Sequence, residues 1–412
     1  MTKADKEGQR KAPILRFKGF TDDWEQRQLG DISEKRIEKN NSLSIDNILS
    51  NSAIYGIVKQ TQYFDKTIAN NIQNYYVVHT NDFIYNPRIS NNAPFGPISR
   101  NKLAESGVMS PLYLVFYFSK KSLSDFFEIY FKSSKWHNFM YMHGNSGARS
   151  DRFAIKDDEF FKMRVKIPHN KSEIDKIYRL NILLNNLITL YDRKLKLLSQ
   201  IKKYFLDNLF AKKEYPNLRF KGFTDAWEQR KLSSILIERK DLSTESKQFP
   251  LSSFIQEKGV VPKSQRYDRS FLVKDSSKKY KVTKFGDFIY SSNNLDTGSI
   301  GLNSYGNAVI SPVYSVFSSK NSNILETNFV NLLFQQNFYK NKMLRFRQGV
   351  MYGQLKIKED DFLKVKVNVP SQIEIKNIIN LFSKIESYAT LLENKKKQLV
   401  QIKNTLLNTM FI

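Results

Sequence analysis

The sequence predicts an α/β or α+β protein made of two tandem domains that are related by an internal repeat and separated by an antiparallel two-helix coiled coil. Three observations predict this architecture. One motif occurs twice, strand and helix patterns follow each copy, and each copy ends in a long helix with an apolar heptad repeat. A chain of 412 residues is also longer than one ordinary core supports.

The internal repeat is visible by direct comparison. The segment LRFKGFTDDWEQRQL at 15–29 returns at 218–232 as LRFKGFTDAWEQRKL, with 13 of 15 positions identical. Four further matches follow at nearly the same offset: NDFIY at 81–85 with GDFIY at 286–290, VMSPLYLVF at 108–116 with VISPVYSVF at 309–317, FAIKDDEF at 153–160 with LKIKEDDF at 355–362, and VKIP at 165–168 with VNVP at 367–370. Two copies of one fold are therefore expected.

Between these anchors the two copies diverge, most clearly at 51–80 against 251–285 and at 86–106 against 291–307. A shared scaffold with different inserts is typical of two domains that do the same job on two targets, and drift after duplication is the alternative. Within each copy, alternating runs such as YLVFYF and RVKIP predict strands. Segments such as SLSDFFEIYFKSSKWHNFMY predict helices.

Each copy closes with a Pro, Pro168 or Pro370, after which a long helix is predicted, from Ser172 to Phe210 and from Gln372 to Phe411. Apolar residues recur every seven positions in both helices and predict a coiled-coil seam, whereas an amphipathic core helix is the alternative for either helix alone. The seam residues are Ile177, Leu184, Tyr191, Leu198 and Phe205 in the first helix, and Ile378, Ile385, Leu392, Leu399 and Leu406 in the second. Companion positions are expected three residues later, at Leu180, Leu187 and Ile201 and at Leu381, Tyr388 and Ile402.

Lys194 and Lys395 fall on the companion row, where an apolar residue would pack better. A polar residue in a seam lowers stability but penalises other registers. The pair is interpreted either as a register device or as solvated side chains that extend to water.

Chain order sets the direction of the helices. The first helix leaves the first domain and leads to the second, whereas the second helix starts at the second domain, so the two run antiparallel if they pair. The molecule would then be quasi-circular with a pseudo-twofold axis. Helices of this length span about 60 Å at 1.5 Å per residue, so a paired arrangement would hold the two domains at a set separation.

The predicted boundaries follow from these patterns: a disordered leader at 1–13, a first domain at 14–170, a first spacer helix at 171–212, a second domain at 213–370 and a second spacer helix at 371–412. The leader has no apolar segment behind its charges, so a cytoplasmic location is expected.

The formal net charge is +26, which favours a polyanionic partner such as nucleic acid. A general richness in Lys, Asn and Ile is the alternative explanation of that charge. Membrane attachment is disfavoured, because the longest apolar run, Pro111 to Phe118, is far below the roughly 20 residues needed to span a bilayer and no helix concentrates Lys on one face. The chain has no Cys, and its four His lack metal-ligand spacing, so no metal site is expected.

The sequence carries no recognisable catalytic motif. The chain lacks a phosphate-binding GxxxxGK[ST] loop, and Tyr85 to Arg88 reads YNPR, which lacks the second Pro and the aromatic residue of an adenine methyltransferase motif. The triplet Glu374 to Lys376, with Asp361 upstream, loosely resembles a nuclease constellation but is better interpreted as a solvated helix face. No catalytic residue and no cofactor is therefore assigned to this chain.

Base reading requires Arg, Lys, Asn, Gln or a stacking aromatic residue on loops held by strands. The first copy offers such candidates at Lys59, Gln60, Arg88, Asn91, Asn92, Arg149 and Arg152. The second copy offers them at Lys263, Gln265, Arg266, Asn293, Asn294, Arg345, Arg347, Gln348 and Tyr352. Each candidate is weighed against the alternative of an ordinary exposed loop residue, and Tyr352 against a packed one.

Trp24 and Trp227 stand in the repeated opening motif. An identical motif cannot encode two different half-sites. These segments are therefore interpreted as packing elements or as a common surface on which a partner docks.

Taken together, these motifs resemble those of type I restriction-modification specificity (S) subunits, over nearly the whole chain from Pro13 to Ile412. The resemblance rests on the repeated RFKGFTD opening, the SPLYLVF and SPVYSVF strands, the closing IP and VP, and the helix ends QIKKYFLDNLF and QIKNTLLNTMF. It implies a non-catalytic DNA-binding subunit of an endonuclease complex, in which two target-recognition domains each read one half of a bipartite asymmetric target and the helix pair sets the unread gap.

The same resemblance implies partners. Two methyltransferase subunits would dock and use S-adenosylmethionine for adenine methylation of DNA. Two restriction subunits would use ATP and Mg²⁺ to translocate and cleave it. The alternative is a stand-alone two-headed DNA-binding protein without enzyme partners. A cytoskeletal or scaffold coiled coil conflicts with the basic charge and the divergent loops.

Overall fold

The computed structural model describes residues 11–63, 71–145, 151–255, 259–263, 278–291, 300–349 and 355–412. The predicted leader at 1–13 therefore lies largely outside the described residues. The chain divides into two compact units, of which unit 1 comprises the chain up to Asp192 together with Asn394–Ile412, and unit 2 comprises Arg193–Glu393. Each unit thus contains one sequence copy and one end of the long helix that belongs to the other copy.

Unit 1 carries short strands joined by loops. These are β1 (Glu25–Gln28), β2 (Glu34–Lys35), β3 (Leu49–Ser52), β4 (Gly56–Lys59), β5 (Tyr76–Val78), β6 (Phe83–Tyr85), β7 (Ile98–Arg100), β8 (Gly107–Met109), β9 (Leu114–Tyr117) and β10 (Arg164–Ile167). Its helices are α1 (Gln60–Tyr63), α2 (Lys121–Tyr130), α3 (His137–His143), α4 (Asp157–Phe161) and the first part of α5 (Lys171–Asn208).

The centre of unit 1 is an antiparallel sheet in the order β2-β9-β6-β7. Its middle strands come from the repeated NDFIY and SPLYLVF segments, and Phe83 pairs directly with Phe116. One face of the sheet meets α2, where Phe126 and Phe127 are fully buried with Phe83 and Phe116. Strands β3 and β4 form a hairpin, and β5 pairs with β8.

Unit 2 repeats this order. Its strands are β11 (Glu228–Lys231), β12 (Leu236–Glu238), β13 (Leu242–Ser243), β14 (Ser252–Ile255), β15 (Gly259–Pro262), β16 (Tyr280–Thr283), β17 (Phe288–Ser291), β18 (Ile300–Leu302), β19 (Ala308–Ile310), β20 (Tyr314–Ser319), β21 (Gln348–Gly349), β22 (Leu355–Lys356) and β23 (Lys366–Val369). Its helices are the last part of α5, α6 (Ile324–Phe334), α7 (Asn337–Leu344), α8 (Glu359–Leu363) and the first part of α9 (Gln372–Thr409). The sheet β12-β20-β17-β18 corresponds strand for strand to the central sheet of unit 1, as the repeat predicts.

The predicted long helices are confirmed within two residues at each end, as α5 and α9. In unit 1 the start of α5, at Ile174 and Ile177, shares a core with Leu407 and Met410 near the end of α9. Farther along α5, Asp192 forms an ion pair with Lys396. The residue numbers therefore rise along one helix as they fall along the other, so the two helices run antiparallel within this unit.

Unit 2 shows the same relation between the other helix ends. Lys202 Nζ lies 3.0 Å from Glu386 Oε1. Phe210, just beyond the end of α5, is buried in the same core as Ile378 and Phe382 of α9. The helices are antiparallel here as well.

The heptad positions differ in burial along the helices. Ile177, Leu184, Ile378, Ile385 and Leu392 are buried. Tyr191, Leu198, Phe205, Leu399 and Leu406 are half-buried. The companion row lies four residues after these positions, at residues such as Asn181, Leu209, Phe382 and Met410, which are all buried.

The expected companion row three residues later holds only in part: Leu180 and Leu381 are half-buried against the cores and Leu187 is half-buried, but the row is exposed farther along each helix. Ile201, Tyr388 and Ile402 on that row are 37%, 49% and 49% exposed. Lys194 and Lys395 are exposed as well, so they do not occupy the seam. The chain has apolar residues at both spacings, and the heptad period alone does not say which row faces the partner helix.

The repeated opening motif is a packing element. Trp24 is 5% exposed and meets Phe126 and Phe411 edge-on. Trp227 is 3% exposed and packs near Phe210 and Phe329. Both indoles thus lie in the cores, and a docking role for the exposed parts of these segments stays a prediction.

Among the described residues, no helix combines the length and the apolar content that a bilayer crossing requires.

Candidate nucleic-acid interface

Two loops that are distant in the sequence of the first copy meet at Arg88 and Arg152. Phe153 N donates to Pro87 O at 2.8 Å, and Ile89 N donates to Asp151 O at 3.0 Å. These bonds flank an isolated antiparallel bridge in which Arg88 lies directly opposite Arg152. Directly opposed residues of an antiparallel pair project to the same side, so the two guanidinium groups share one surface.

This juxtaposition has an electrostatic cost. Like charges directly opposite on neighbouring strands are destabilising. The Arg88 side chain is 69% exposed, and its Nε lies 4.0 Å from Asp151 Oδ2, at the limit of an ion pair. A surface that brings two forked cations together is suited to an anionic partner, because each guanidinium can bind a phosphate or a guanine edge with two hydrogen bonds.

Buried polar contacts hold the Arg88 segment in place. Tyr85, at the end of β6, donates from its hydroxyl to Phe153 O at 2.8 Å, and burial raises the pKa of this phenol. Asn86 Oδ1 accepts a bond from Arg88 N at 2.9 Å, and Asn86 Nδ2 donates to Asn51 O at 2.9 Å. The rigid central sheet therefore positions the exposed loop, as a reading surface requires.

Gly96 closes the same loop. It has a φ of +81°, and an added Cβ would stand 2.0 Å from Asn86 O. No other residue fits this position without moving the Asn86 backbone.

Tyr113 is a neighbour of the arginine pair that sequence reasoning missed. Burial raises the pKa of this phenol, while the positive charges of Arg88 and Arg152 oppose the shift, which places both cations nearby. Tyr113 lies in the repeated SPLYLVF motif and has the equivalent Tyr314 in the second copy. A residue common to both copies carries no signal of a copy-specific role.

Asn91 and Asn92 form the tip of a tight turn on the same loop. Ser90 and Ala93 exchange both backbone hydrogen bonds, each at 3.0 Å, and the two Asn between them are exposed. Asn amides that project from such a turn can donate and accept at an adenine edge. We refer to Arg88, Arg152, Tyr113, Asn91 and Asn92 as the arginine surface.

Lys59 and Gln60 lie at the end of the β3–β4 hairpin. Lys59 Nζ forms an ion pair with Glu105 Oε2 at 2.9 Å, which lowers the pKa of that carboxyl. Gln60 is half-buried, and its buried Oε1 has no hydrogen-bond partner among the described residues. The amide of Gln60 is therefore buried and the ammonium of Lys59 is paired with a carboxylate. Both side chains are less available for hydrogen bonds to a ligand than those of the arginine surface.

The second copy repeats the support of this loop. Tyr290 donates from its hydroxyl to Ile357 O at 3.2 Å, as Tyr85 does to Phe153. Lys263 is half-buried and follows β15. Five candidates of this copy and one of the first copy lie outside the described residues: Gln265, Arg266, Asn293, Asn294, Tyr352 and Arg149.

The remaining candidates cluster after α7. Arg345 is exposed and Arg347 is half-buried. Gln348 begins β21 and donates from Nε2 to Asp361 Oδ2 at 3.1 Å. Asp361 is therefore a structural partner of this loop.

The sequence suggested that Glu374 lies on a solvated helix face, and this interpretation is wrong. Glu374 is 1% exposed and accepts two hydrogen bonds from Arg219, each at 2.8 Å. Among the described residues, no three His, Asp or Glu side chains come together as metal ligands.

Comparison with known proteins gives structural matches only. No family model and no curated protein sequence matches the chain. A chain from a type I R-M system, solved to explain its complex assembly and conformational transition, is 11% identical with a TM-score of 0.52, over 93% of this chain and 96% of that one. The type I restriction-modification system S subunit from M. genitalium is 10% identical with a TM-score of 0.56, over 97% of this chain and 99% of that one. The chain therefore has the fold of type I restriction-modification S subunits, which confirms, at the level of fold, the resemblance carried by its repeated motifs.

Proposed function

We propose that the protein is the DNA-specificity subunit of a type I restriction-modification complex. In this proposal the two sequence copies are target-recognition domains, and each reads one half of a bipartite DNA target. The helices α5 and α9 form an antiparallel coiled coil that sets the gap between the halves.

One observation carries the proposal: the two units have the same strand order, but the loops they present differ. The first copy places Arg88 opposite Arg152 on a loop held by Tyr85. The second copy keeps the supporting Tyr290, but has Ser291 and Ser292 where the first has Asn86 and Pro87. A constant scaffold with variable exposed cations is what two readers of different sequences require.

The net charge of +26 supports DNA as the common ligand, because phosphate neutralisation supplies much of the affinity of DNA-binding proteins. The two-domain organisation and the long antiparallel helices support a spacer role. The contacts at Lys202–Glu386 and Asp192–Lys396 tie the helices together in their respective units.

The proposal includes docking of two methyltransferase subunits, and through them two restriction subunits. S-adenosylmethionine, ATP and Mg²⁺ would then belong to those partners. Support comes from a second apolar row along α5, at Leu183, Leu190, Leu197 and Tyr204, which are 56%, 45%, 57% and 56% exposed. An exposed apolar row at heptad spacing fits an amphipathic helix of a partner.

The experiment is an exchange of residues 30–165 for those of another S subunit, followed by long-read mapping of adenine methylation in cells that hold the methyltransferase. We expect one half of the methylated sequence to change while the other half and the gap stay the same. A change in both halves would contradict the two-reader proposal. If deletion of the gene leaves the methylome unchanged while the purified chain still binds DNA, the protein is instead a stand-alone two-headed DNA-binding protein.

A further inference from the structure

The helix α3 presents two large apolar side chains to solvent. Tyr141 is 72% exposed and Met142 is 69% exposed, and they are neighbours near the end of a helix of 7 residues. A single exposed apolar residue is ordinary on a protein surface. Two adjacent ones on so short a helix form an apolar projection, and we call Tyr141 and Met142 the apolar tip.

The body of α3 is held in place by its other side chains. Met140 is fully buried in the core of unit 1. The ring of His143 stacks on Phe139 with centroids 4.3 Å apart. The two positions after Met140 are rotated by about 100° and 200° from it around the helix axis. This rotation turns Tyr141 and Met142 away from the core, so their exposure follows from the orientation of a fixed helix.

The helix leads directly into the segment that carries Arg152. Asn145 N donates to Ala154 O at 2.9 Å, and Ala154 N donates to Asn145 O at 2.8 Å. Phe153 is buried and Ala154 is exposed, so Arg152 and Ala154 project to the solvent side of this segment. Asn145 lies directly opposite Ala154 and projects to the same side. The end of α3 therefore joins the surface on which Arg152 faces Arg88.

Chain geometry limits the distance between the apolar tip and the arginine surface. Tyr141 precedes Asn145 by four residues, and Arg152 precedes Ala154 by two on the paired strand. Helix, strand and ladder spacings then place the backbones of Tyr141 and Arg152 within about 20 Å of each other. This distance corresponds to about six base pairs at ~3.4 Å each. One bound duplex is therefore long enough to contact both.

The charges around the apolar tip suit a polyanion. The helix α3 carries no Asp or Glu. On the adjoining segments, Glu159 is hydrogen-bonded to His143 and paired with Lys162. Asp151 lies at the limit of an ion pair with Arg88. An apolar projection beside exposed cations matches duplex DNA, which presents phosphates on its outside and apolar base faces between its steps.

The second copy keeps the buried side of this helix and changes the exposed side. Positions 138–140 read NFM and positions 337–339 read NFY, and the last residue of each triplet is fully buried. The apolar tip follows in the first copy, whereas Lys340 and Asn341 follow in the second. The copies therefore share a scaffold here and differ at the surface, as they do at the loops around Arg88.

We propose that the apolar tip is a wedge that inserts between two neighbouring base pairs of duplex DNA, at the edge of the half-site read by the first copy. This inference rests on the proposed function. Apolar side chains that enter a base step unstack it and bend the duplex, and an aromatic ring stacks on a base of any sequence. The wedge thus senses how easily a step deforms and not the hydrogen-bonding edges of its bases. Pyrimidine–purine steps such as TA and CA are the most flexible, so we expect one at the wedge.

The test uses the purified full-length chain without methyltransferase, and the duplex target that methylation mapping identifies. The adenine analogue 2-aminopurine, whose fluorescence rises when it loses a stacked neighbour, is placed at successive steps of the first half-site and its flank. We expect the fluorescence to rise at one step when the wild-type chain binds. The double variant Tyr141→Ala, Met142→Ala should abolish that rise and weaken binding by about 5- to 100-fold, the range for loss of aromatic stacking on a base.

Two further measurements separate a wedge from a merely structural role. Tyr141→Phe keeps the ring and should keep the rise in fluorescence. Tyr215→Ala removes a tyrosine that is 57% exposed in the segment after α5, and as the matched control it should change neither fluorescence nor affinity. A nick in one strand at the responsive step makes the step easier to unstack without changing any base. The nick should strengthen binding by the wild-type chain and leave the affinity of the double variant unchanged.

A fluorescence rise at no step, or one that the double variant retains, overturns the inference. An equal loss of affinity in Tyr215→Ala does so as well. Unchanged DNA binding by the double variant, together with loss of a co-purified methyltransferase, would assign the apolar tip to a protein partner and also overturn it. If the wild-type chain does not distinguish the mapped target from a scrambled duplex, the proposed function itself fails. If it distinguishes the two but unstacks no step, only the wedge fails.

Discussion

Arg16 and Glu173 form a two-pronged ion pair that joins the repeated opening motif to the first turn of α5. Arg16 Nε lies 2.6 Å from Glu173 Oε1, and Arg16 Nη2 lies 2.8 Å from Glu173 Oε2. Arg219 and Glu374 repeat this geometry in the second copy. Both carboxylates are 1% exposed, so each opening motif is anchored to its long helix by a buried charge pair.

We expect Arg16→Met to lower the free energy of unfolding by about 3–5 kcal/mol, because removal of one partner leaves the Glu173 carboxylate buried without compensation. The double variant Arg16→Met, Glu173→Leu should recover part of that loss. Denaturant unfolding followed by circular dichroism measures both. The control is Arg27→Met, which breaks an exposed pair with Glu25 and should cost about 0–1 kcal/mol. Equal losses in Arg16→Met and the control would contradict the buried-pair argument.

Much of the architecture is predictable from the sequence, because the repeat and the heptad period are local patterns. The burial of charged residues is not predictable in this way. Glu374 stands in an ExK triplet that is typical of a solvated helix start, and its partner Arg219 is 155 residues away in the sequence. The pairing of Arg88 with Arg152 also depends on tertiary structure. One loop precedes the helices α2 and α3 in the sequence and the other follows them, so no local sequence pattern relates the two. Side-chain periodicity predicted the main row of the seam but only part of the companion row, since Leu180 and Leu381 pack against the cores whereas Ile402 is exposed.

The seam geometry predicts different outcomes for two adjacent leucines of α9. Leu392 is 4% exposed and Leu391 is 47% exposed. We expect Leu392→Ala to lower the free energy of unfolding by about 2–5 kcal/mol, because it opens a cavity at a buried position of α9. Leu391→Ala should stay within about 0.5 kcal/mol, the usual range for surface changes. Thermal or denaturant unfolding of both variants checks which face of α9 is buried. A larger loss of stability in Leu391→Ala than in Leu392→Ala would contradict that assignment.

The arginine surface predicts a loss confined to one half-site. Once methylation mapping has identified the target, Arg88→Ala should weaken binding by about 1–3 kcal/mol and relax the preference at one position of the first half. Arg88→Lys should keep most of the nonspecific affinity but not the preference, because an ammonium lacks the forked donors of a guanidinium. Electrophoretic mobility shifts on duplexes with single base changes in each half measure this. Arg179→Ala, an 81% exposed arginine on α5, is the control. A preference lost equally in both halves would contradict the assignment of Arg88 to one reader.

If α5 and α9 set the distance between the two recognition domains, lengthening both helices should lengthen the unread gap in the DNA target. Insertion of one heptad after Arg193 and one after Asn394, close to the Asp192–Lys396 contact, keeps the seam in phase in both helices. Seven residues add about 10 Å of helix, equivalent to about three base pairs at ~3.4 Å each. We therefore expect the unread gap in the methylated target to lengthen by about three base pairs while both half-sites stay the same. Insertion of a heptad in α5 alone leaves it without a matching partner segment and should abolish methylation or lower stability. A gap that stays constant after the paired insertion would show that the helices do not set the spacing, even if the chain still folds and binds DNA.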